Sequence, residues 1–435
     1  MVRWLKLSTG VACACALGVL GLGVAAADEA FKATTAISLP GGQKITSFDI
    51  SYVDPVIGLY VLADRTNKAV DAVDTGSNTV INQFGAGTFV GFTGNNDTSG
   101  PDGALIIDHR ELWVGDGDST IKVFDLAGSA TTPTHVIPTG GAKRADELCA
   151  DEEDHVVLMA NDAESPFPFI SFVSTTSYSV IKRVTFDGNN GTVKATNGIE
   201  QCQFDKRTNK FYLNIPEVNG PGNDTQPGAV VVFSAETLNI EHIYTIPLAS
   251  CAGPQGMAIG PAPQILLGCN APGPTANAPT AVIDEHNGHV IATLNNESGS
   301  DEVWFNPGDG HYFLARSSAV GANQQLGVVD SSGPNEDASF PTGLPTTTTP
   351  PHGSAHSVAA DSESNHAFVP IPSNSGGTVC SSAGGSDTLG CIAVFTTQHD
   401  DHVACNAQGS PVIRGGDGDH DADTMKANCH DRDRD

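Results

Sequence analysis

Short runs of Val, Ile, Leu, Phe and Tyr alternate with clusters of Gly, Pro, Asn and Asp along almost the whole chain, and helical periodicity is nearly absent. That punctuation predicts an all-β protein. The runs come in pairs joined by a polar turn, and the pair recurs seven times, at 47–64, 100–118, 145–161, 199–217, 253–270, 300–316 and 355–372. Between pairs lie third and fourth strand segments, such as Ala69–Asp74 with Thr79–Phe84, Ala229–Phe233 with His242–Pro247, and Ala281–Asp284 with Val290–Leu294. Four strands repeated radially predict a seven-bladed β-propeller.

The seventh pair is followed by a third strand at Cys391–Thr397, but no good fourth strand comes after it. The segment Thr35–Pro40 (TAISLP) matches the fourth strands of other repeats, such as THVIPT at 134–139. We therefore expect the N-terminal strand to complete the last blade. Such closure removes the open edges that invite association, so a monomer is expected. The propeller then spans 28–398, and the Asp-rich tail 399–435 is too polar to bury a core of its own and is expected to be flexible.

The stretch LYVLADRTNKAVDAVDTGSNTVINQF (59–84) resembles the YVTN-type repeat of exported bacterial seven-bladed propellers. The resemblance implies the same fold. It leaves function open, because propellers of this kind serve as binding modules, lactonases and lyases alike. A more distant architectural likeness to gluconolactonase-like and streptogramin-lyase propellers carries no residue-by-residue match.

Residues 1–27 change the picture of the N-terminus. Arg3 and Lys6 precede an apolar run, and Ala25, Ala26 and Ala27 suit signal cleavage, so a secreted or periplasmic product is expected. No later segment is apolar for long enough to enter a bilayer. Ten cysteines less Cys13 and Cys15 leave eight, and no C-x-x-C pair is present, which favours disulfides. The simplest pairing is nearest-neighbour: 149 with 202, 251 with 269, 380 with 391, and 405 with 429. A formal charge of −29 argues against nucleic acid or an anionic membrane as a partner and is compatible with cations or cationic ligands.

Aligning the seven pairs places Asp49, Asp102, Asp146, Glu200, Gln255, Asp301 and His356 at equivalent positions. First strands line the channel of a propeller, so these side chains should converge on one mouth. Two like charges ~6 Å apart repel by about 3 kcal/mol at an effective dielectric of about 20. Carboxylates gathered so closely must share protons or hold a cation. The expected metal ligands are Asp49, Asp102, Asp146, Glu200 and Asp301, and oxygen donors without thiolates suit Ca²⁺ or Mg²⁺. The bland alternative is a water-filled channel with polar walls. His356 is the ring's only group titrating near neutrality, which makes it the general acid or base candidate, with Glu147 and Glu302 beside it. Gln255, Asn161, Asn270 and Arg316 are the expected ligand contacts, although Arg316 could equally pair with Asp301 or Glu302. Long Pro/Gly-rich loops follow the second strands on the same face, where ligand sites usually lie. The expected function is action on a small organic substrate, by metal-dependent lactone or ester hydrolysis or by lyase chemistry. The alternative is a non-catalytic propeller that binds a small molecule or a protein. No G-x-S-x-G elbow or complete calcium loop is present.

Overall fold

The computed structural model describes residues 31–397 apart from 270–278, 296, 298, 318–324, 334, 342–355 and 374. Residues 1–27, the tail 399–435, Asn270 and the expected Cys405–Cys429 pair lie outside the described residues.

Seven four-stranded antiparallel sheets form the molecule. The first blade pairs Ser51–Asp54, Leu59–Asp64, Ala69–Asp74 and Thr79–Phe84 in chain order from the axis outward. The next five blades repeat this order, and their innermost strands are Ala104–Ile107, Leu148–Asp151, Cys202–Asp205, Pro254–Ile259 and Val303–Asn306. The second strands carry continuous apolar runs and are buried on both faces, whereas outer strands such as Ser179–Thr185 alternate between exposed and half-buried positions. That gradient follows from blade packing, because only the outermost strand has one face in solvent.

The seventh blade takes Ala359–Asp361, His366–Ile371 and Cys391–Thr397 from the C-terminal end and its outer strand from the N-terminus. The closing strand is Phe31–Ile37, paired from Phe31 opposite Thr397 to Ile37 opposite Ile392. It therefore begins and ends earlier than the expected Thr35–Pro40, because Pro40 opens a 3₁₀ turn and cannot donate to the ladder. The seam with the first blade is packed by Ile37, Leu39, Tyr60, Phe368 and Ile392, and the Tyr60 and Phe368 rings stack at 5.1 Å.

Three of the expected disulfides are present. Cys149–Cys202 ties the inner strands of the third and fourth blades, Cys251–Cys269 braces the fifth, and Cys380–Cys391 anchors an insertion in the seventh. Such bonds suit an oxidising compartment. Among the described residues no helix is long and apolar enough to cross a membrane.

Candidate functional site at the axial mouth

A single backbone device sets the position of the aligned ring. The amides of five ring residues donate to the next-to-last residue of their own blade's second strand: Asp49 to Ala63 O (2.9 Å), Asp102 to Gly115 O (3.0 Å), Asp146 to Ala160 O (2.8 Å), Glu200 to Asn214 O (2.9 Å) and Asp301 to Ala315 O (3.2 Å). Their side chains consequently start at the same height around the axis. Gly103 and Gly256 follow two ring residues, and a Cβ on either would lie 2.1 Å from the carbonyl oxygen of Asp146 or Asp301. The inner strands can approach this closely only with glycine there.

The ring opens into a cavity of about 740 Å³ lined by Asp49, Asp146, Glu147, Asp162, Glu200, Gln255, Asp301, Glu302 and His356, with loop residues Glu164 to Pro168 and Lys194 to Gly198 forming part of its rim. Oxygens of Asp49, Asp102 and Asp146 lie within 4.8 Å of one another. Two arginines are built into this half of the mouth. Arg65, 4 % exposed, reaches both Asp49 and Asp102 through Nη2, donates from Nε to Asp102 Oδ1 at 2.9 Å, and donates from Nη1 to Asn96 Oδ1 at 2.7 Å. Arg144 pairs with Asp146 at 2.7 Å, makes a two-pronged bond to Asp162 at 3.1 and 2.8 Å, and comes within 3.6 Å of Asp49. The three carboxylates are thus gathered as expected, but guanidinium groups already supply positive charge between them.

Sharing one guanidinium splits the two aspartates. Burial would raise Asp49, but Arg65, the His356 hydrogen bond and charge, and Arg144 together hold it below the usual carboxylate range. Burial pushes Asp102 well up, and the Asp49 charge adds to this against the pull of Arg65. One ionised and one protonated aspartate around Arg65 is the arrangement these causes favour. Among the described residues Asp102 Oδ2 is buried with no hydrogen-bond partner.

The other half of the mouth has less positive charge. His356 Nε2 lies 2.9 Å from Asp49 Oδ1 and its Nδ1 2.9 Å from Asp301 Oδ2. Burial opposes the charged imidazole, yet the two carboxylates raise it well above its ordinary value. With both nitrogens donating, His356 is held as an imidazolium. It has no free nitrogen to act as a base, so the acid role is the one this geometry permits. Glu147 and Glu302, 5 % and 3 % exposed, lie against each other in the cavity wall. Burial and the Asp301 charge push Glu302 up to about 8. Glu147 is pushed well up by burial and then by Glu302, Asp146 and Glu200. Gln201 donates to Glu302 Oε2 at 2.8 Å and the Glu147 carboxyl hydrogen-bonds to Glu302, while among the described residues Glu147 Oε2 and Gln255 Oε1 are buried acceptors with no donor. Among the described residues the Glu200 carboxylate meets the Gln255 amide alone, at 3.4 Å. Burial, Asp162 and Asp301 raise it well above its ordinary value.

Two expected ligand contacts lie away from this cavity. Asn161 is fully buried, and its amide donates to Ser119 Oγ and Arg144 O, both at 3.0 Å, so it supports Arg144 instead of reaching a ligand. Arg316 is also buried, with Nε 3.2 Å from Glu297 Oε2, so its ion pair is to neither Asp301 nor Glu302. Glu217, another second-strand end, caps the following loop by accepting from the amides of Thr225 at 2.9 Å and Gln226 at 3.1 Å. The second-strand ends thus mainly staple loops, because a buried polar residue there is closer to backbone amides than to the axis. The residues missed from sequence are Arg65 and Arg144. Their signal was available, since each stands close in sequence to an acidic position, but adjacency along a chain does not show which charges meet across blades.

No protein-family model matches the chain, and no curated protein sequence matches it. Among solved structures 1478 chains match, too many for shape to select a function. One is a chain in "Crystal Structure of Mitotic Checkpoint Complex", with a TM-score of 0.56 and 13 % identity over 91 % of this chain and 99 % of that one. At that identity the likeness establishes the fold alone: this chain is a seven-bladed β-propeller with an acidic cluster, Asp49, Asp102 and Asp146, at its axis.

Proposed function

We propose that this protein is an exported propeller that holds a hard divalent cation, Ca²⁺ or Mg²⁺, in the axial mouth and presents it to a small organic ligand. The observation that carries the reading is the pair of orphaned acceptors, Glu147 Oε2 and Gln255 Oε1, in the wall of a cavity where Glu147, Glu200 and Glu302 form no ion pair among the described residues. Buried acceptors require a donor or a cation. An all-oxygen donor set suits a hard ion. The cation would replace the proton that burial favours on Glu147 and Glu302, which shifts the metal proposal from the arginine-filled triad to the opposite half of the ring. The loops at the rim supply the ligand-facing surface of a rigid scaffold.

A second reading, metal-dependent hydrolysis or lyase chemistry on a lactone or ester, is favoured by the Asp49–His356–Asp301 array in the same cavity. There the imidazolium would protonate a leaving oxygen while a bound cation polarises the substrate.

Elemental analysis of the purified protein and calorimetric titration with CaCl₂ and MgCl₂ test the proposal. One ion should bind, and Glu147→Gln and Glu200→Gln should each weaken it more than tenfold, while Asp102→Asn leaves it nearly unchanged. A metal-free protein that shows no saturable heat with either ion would end the proposal. Turnover of a lactone and ester panel that is lost in His356→Gln would support the second reading.

A further inference from the structure

At the opposite end of the axial channel lies a separate cavity of about 510 Å³, walled by Tyr52, Leu148, Phe204, Ile259, Trp304 and Phe305. Ile50 touches both cavities, and Gln201, which lines this one, donates to Glu302 at the base of the other. The aromatic character has a simple origin. Tyr52 and Trp304 belong to the first and sixth blades, and the seventh-blade strand between them in the ring, Ala359–Asp361, offers two alanines. The large rings meet across it edge to face, with centroids 5.5 Å apart. All six wall residues are only half-buried, so apolar surface faces the channel.

One acidic group in this wall breaks a pattern that four other blades keep, the inner strands of the remaining two ending in Ile107 and Ile259. Those four inner strands end in an Asp or Asn whose Oδ1 accepts from turn amides, and the second side-chain atom then finds a side-chain partner. Asp54 Oδ2 meets His109 Nδ1 at 2.7 Å, Asp205 Oδ2 meets Arg207 Nη2 at 3.4 Å, Asn306 Nδ2 meets Asn365 Oδ1 at 3.1 Å, and Asp361 Oδ2 meets Ser364 Oγ at 3.0 Å. Asp151 is 1 % exposed and caps its turn through Glu153 N and Asp154 N, yet among the described residues its Oδ2 has no partner. Asp151, Glu152 and Glu153 line the aromatic cavity, where the one basic residue in the lining, Lys206, lies 3.7 Å from Glu153 at the surface.

We propose that this vestibule binds an organic ammonium ion, with its substituted cationic head against the Tyr52 and Trp304 rings on the Asp151 side and its apolar body along Leu148, Phe204 and Ile259. Aromatic faces attract a weakly hydrated cation, and nearby carboxylates select it over a neutral molecule of the same shape. The volume falls in the range usual for small-molecule sites. This site is independent of the cation proposed for the acidic mouth.

Of the three tryptophans, Trp4 lies in the segment expected to be cleaved and Trp113 is fully buried, so quenching by an added ligand reports on Trp304. Titrating the full chain with phenyltrimethylammonium should give saturable quenching, with at least tenfold weaker binding of its neutral isostere tert-butylbenzene. Asp151→Asn keeps the turn acceptor and should weaken the cation about tenfold without affecting the isostere. Glu236→Gln, in an exposed turn outside both cavities, should change nothing. Equal binding of both probes to the unaltered protein, or quenching that never saturates, would overturn the proposal, as would undiminished affinity in a folded Asp151→Asn variant.

Discussion

Replacing Arg65 with Met removes the guanidinium between Asp49 and Asp102 and keeps most of the side-chain volume. The ionised Asp49 then stays buried against Arg144 at 3.6 Å and His356 at 2.9 Å, without its closest guanidinium. Losses on breaking a buried ion pair from one side run about 3–5 kcal/mol. For a domain running from 31 to 397 this corresponds to a fall in Tm of roughly 4–7 °C. The same substitution should leave Asp49 and Asp102 without the guanidinium that bridges them, with Arg144 still on Asp146 and Asp49. CaCl₂ should then restore the variant's Tm by more than it raises that of the unaltered protein, and saturation at a hundredfold excess over Kd would return about 2.7 kcal/mol. Differential scanning fluorimetry with and without CaCl₂, checked by urea unfolding, measures both effects. A variant within about 1 °C of the unaltered protein would refute the claim that Arg65 compensates the cluster. An equal calcium response in the two proteins would refute the claim that it stands where a cation would.

Glu302, whose folded pKa is about 8 against an ordinary 4.5, gives the apo protein a definite pH signature. Between those values the folded state keeps a proton that the unfolded chain has released, so stability is greatest below 4.5 and falls as pH rises toward 8, by about 1.4 kcal/mol per pH unit for one proton. His356, also raised, acts with the same sign, so urea midpoints at pH 5 and 8 should be compared between unaltered protein and Glu302→Gln. The variant should show the shallower decline, and identical slopes would contradict a proton held at this pair. Deleting the chain through Ile37 should expose Cys391–Thr397 as an open edge and produce dimers or larger species in size-exclusion chromatography. An unchanged elution position with an unchanged Tm would show that the closing strand is dispensable.

The alternation of apolar runs and turn residues was enough to count the blades and to find their inner positions. Each repeat must bury its own second and third strands, so the signal is written locally seven times. The same logic located the missing outer strand, although its bounds moved to Phe31–Ile37, because pairing with Cys391–Thr397 set them and the sequence of one strand does not state its register. Cysteine order was equally legible for Cys149–Cys202, which joins neighbouring inner strands whose Cα atoms lie 5.7 Å apart. The ring Asp49, Asp102, Asp146, Glu200, Gln255, Asp301 and His356 could be aligned from sequence because the blades repeat one plan, and in five of them a shared amide-to-carbonyl bond sets the height of the side chain.

What tertiary structure alone decided is which of those charges meet. Arg65 follows Asp64 in the chain yet bridges to Asp102 in the next blade, and Arg144 spans Asp146, Asp162 and Asp49. Asn161 and Arg316 aligned with the mouth in sequence but are turned into the body of the protein, where Arg144 O and Glu297 engage them. Tyr52 and Trp304, far apart in sequence, form one aromatic wall because the strand between them is alanine. A repeating pattern determines the scaffold because its energetics are local and additive. The chemistry at its axis depends on pairings across the ring, which burial and Coulomb energy select only after the ring has closed.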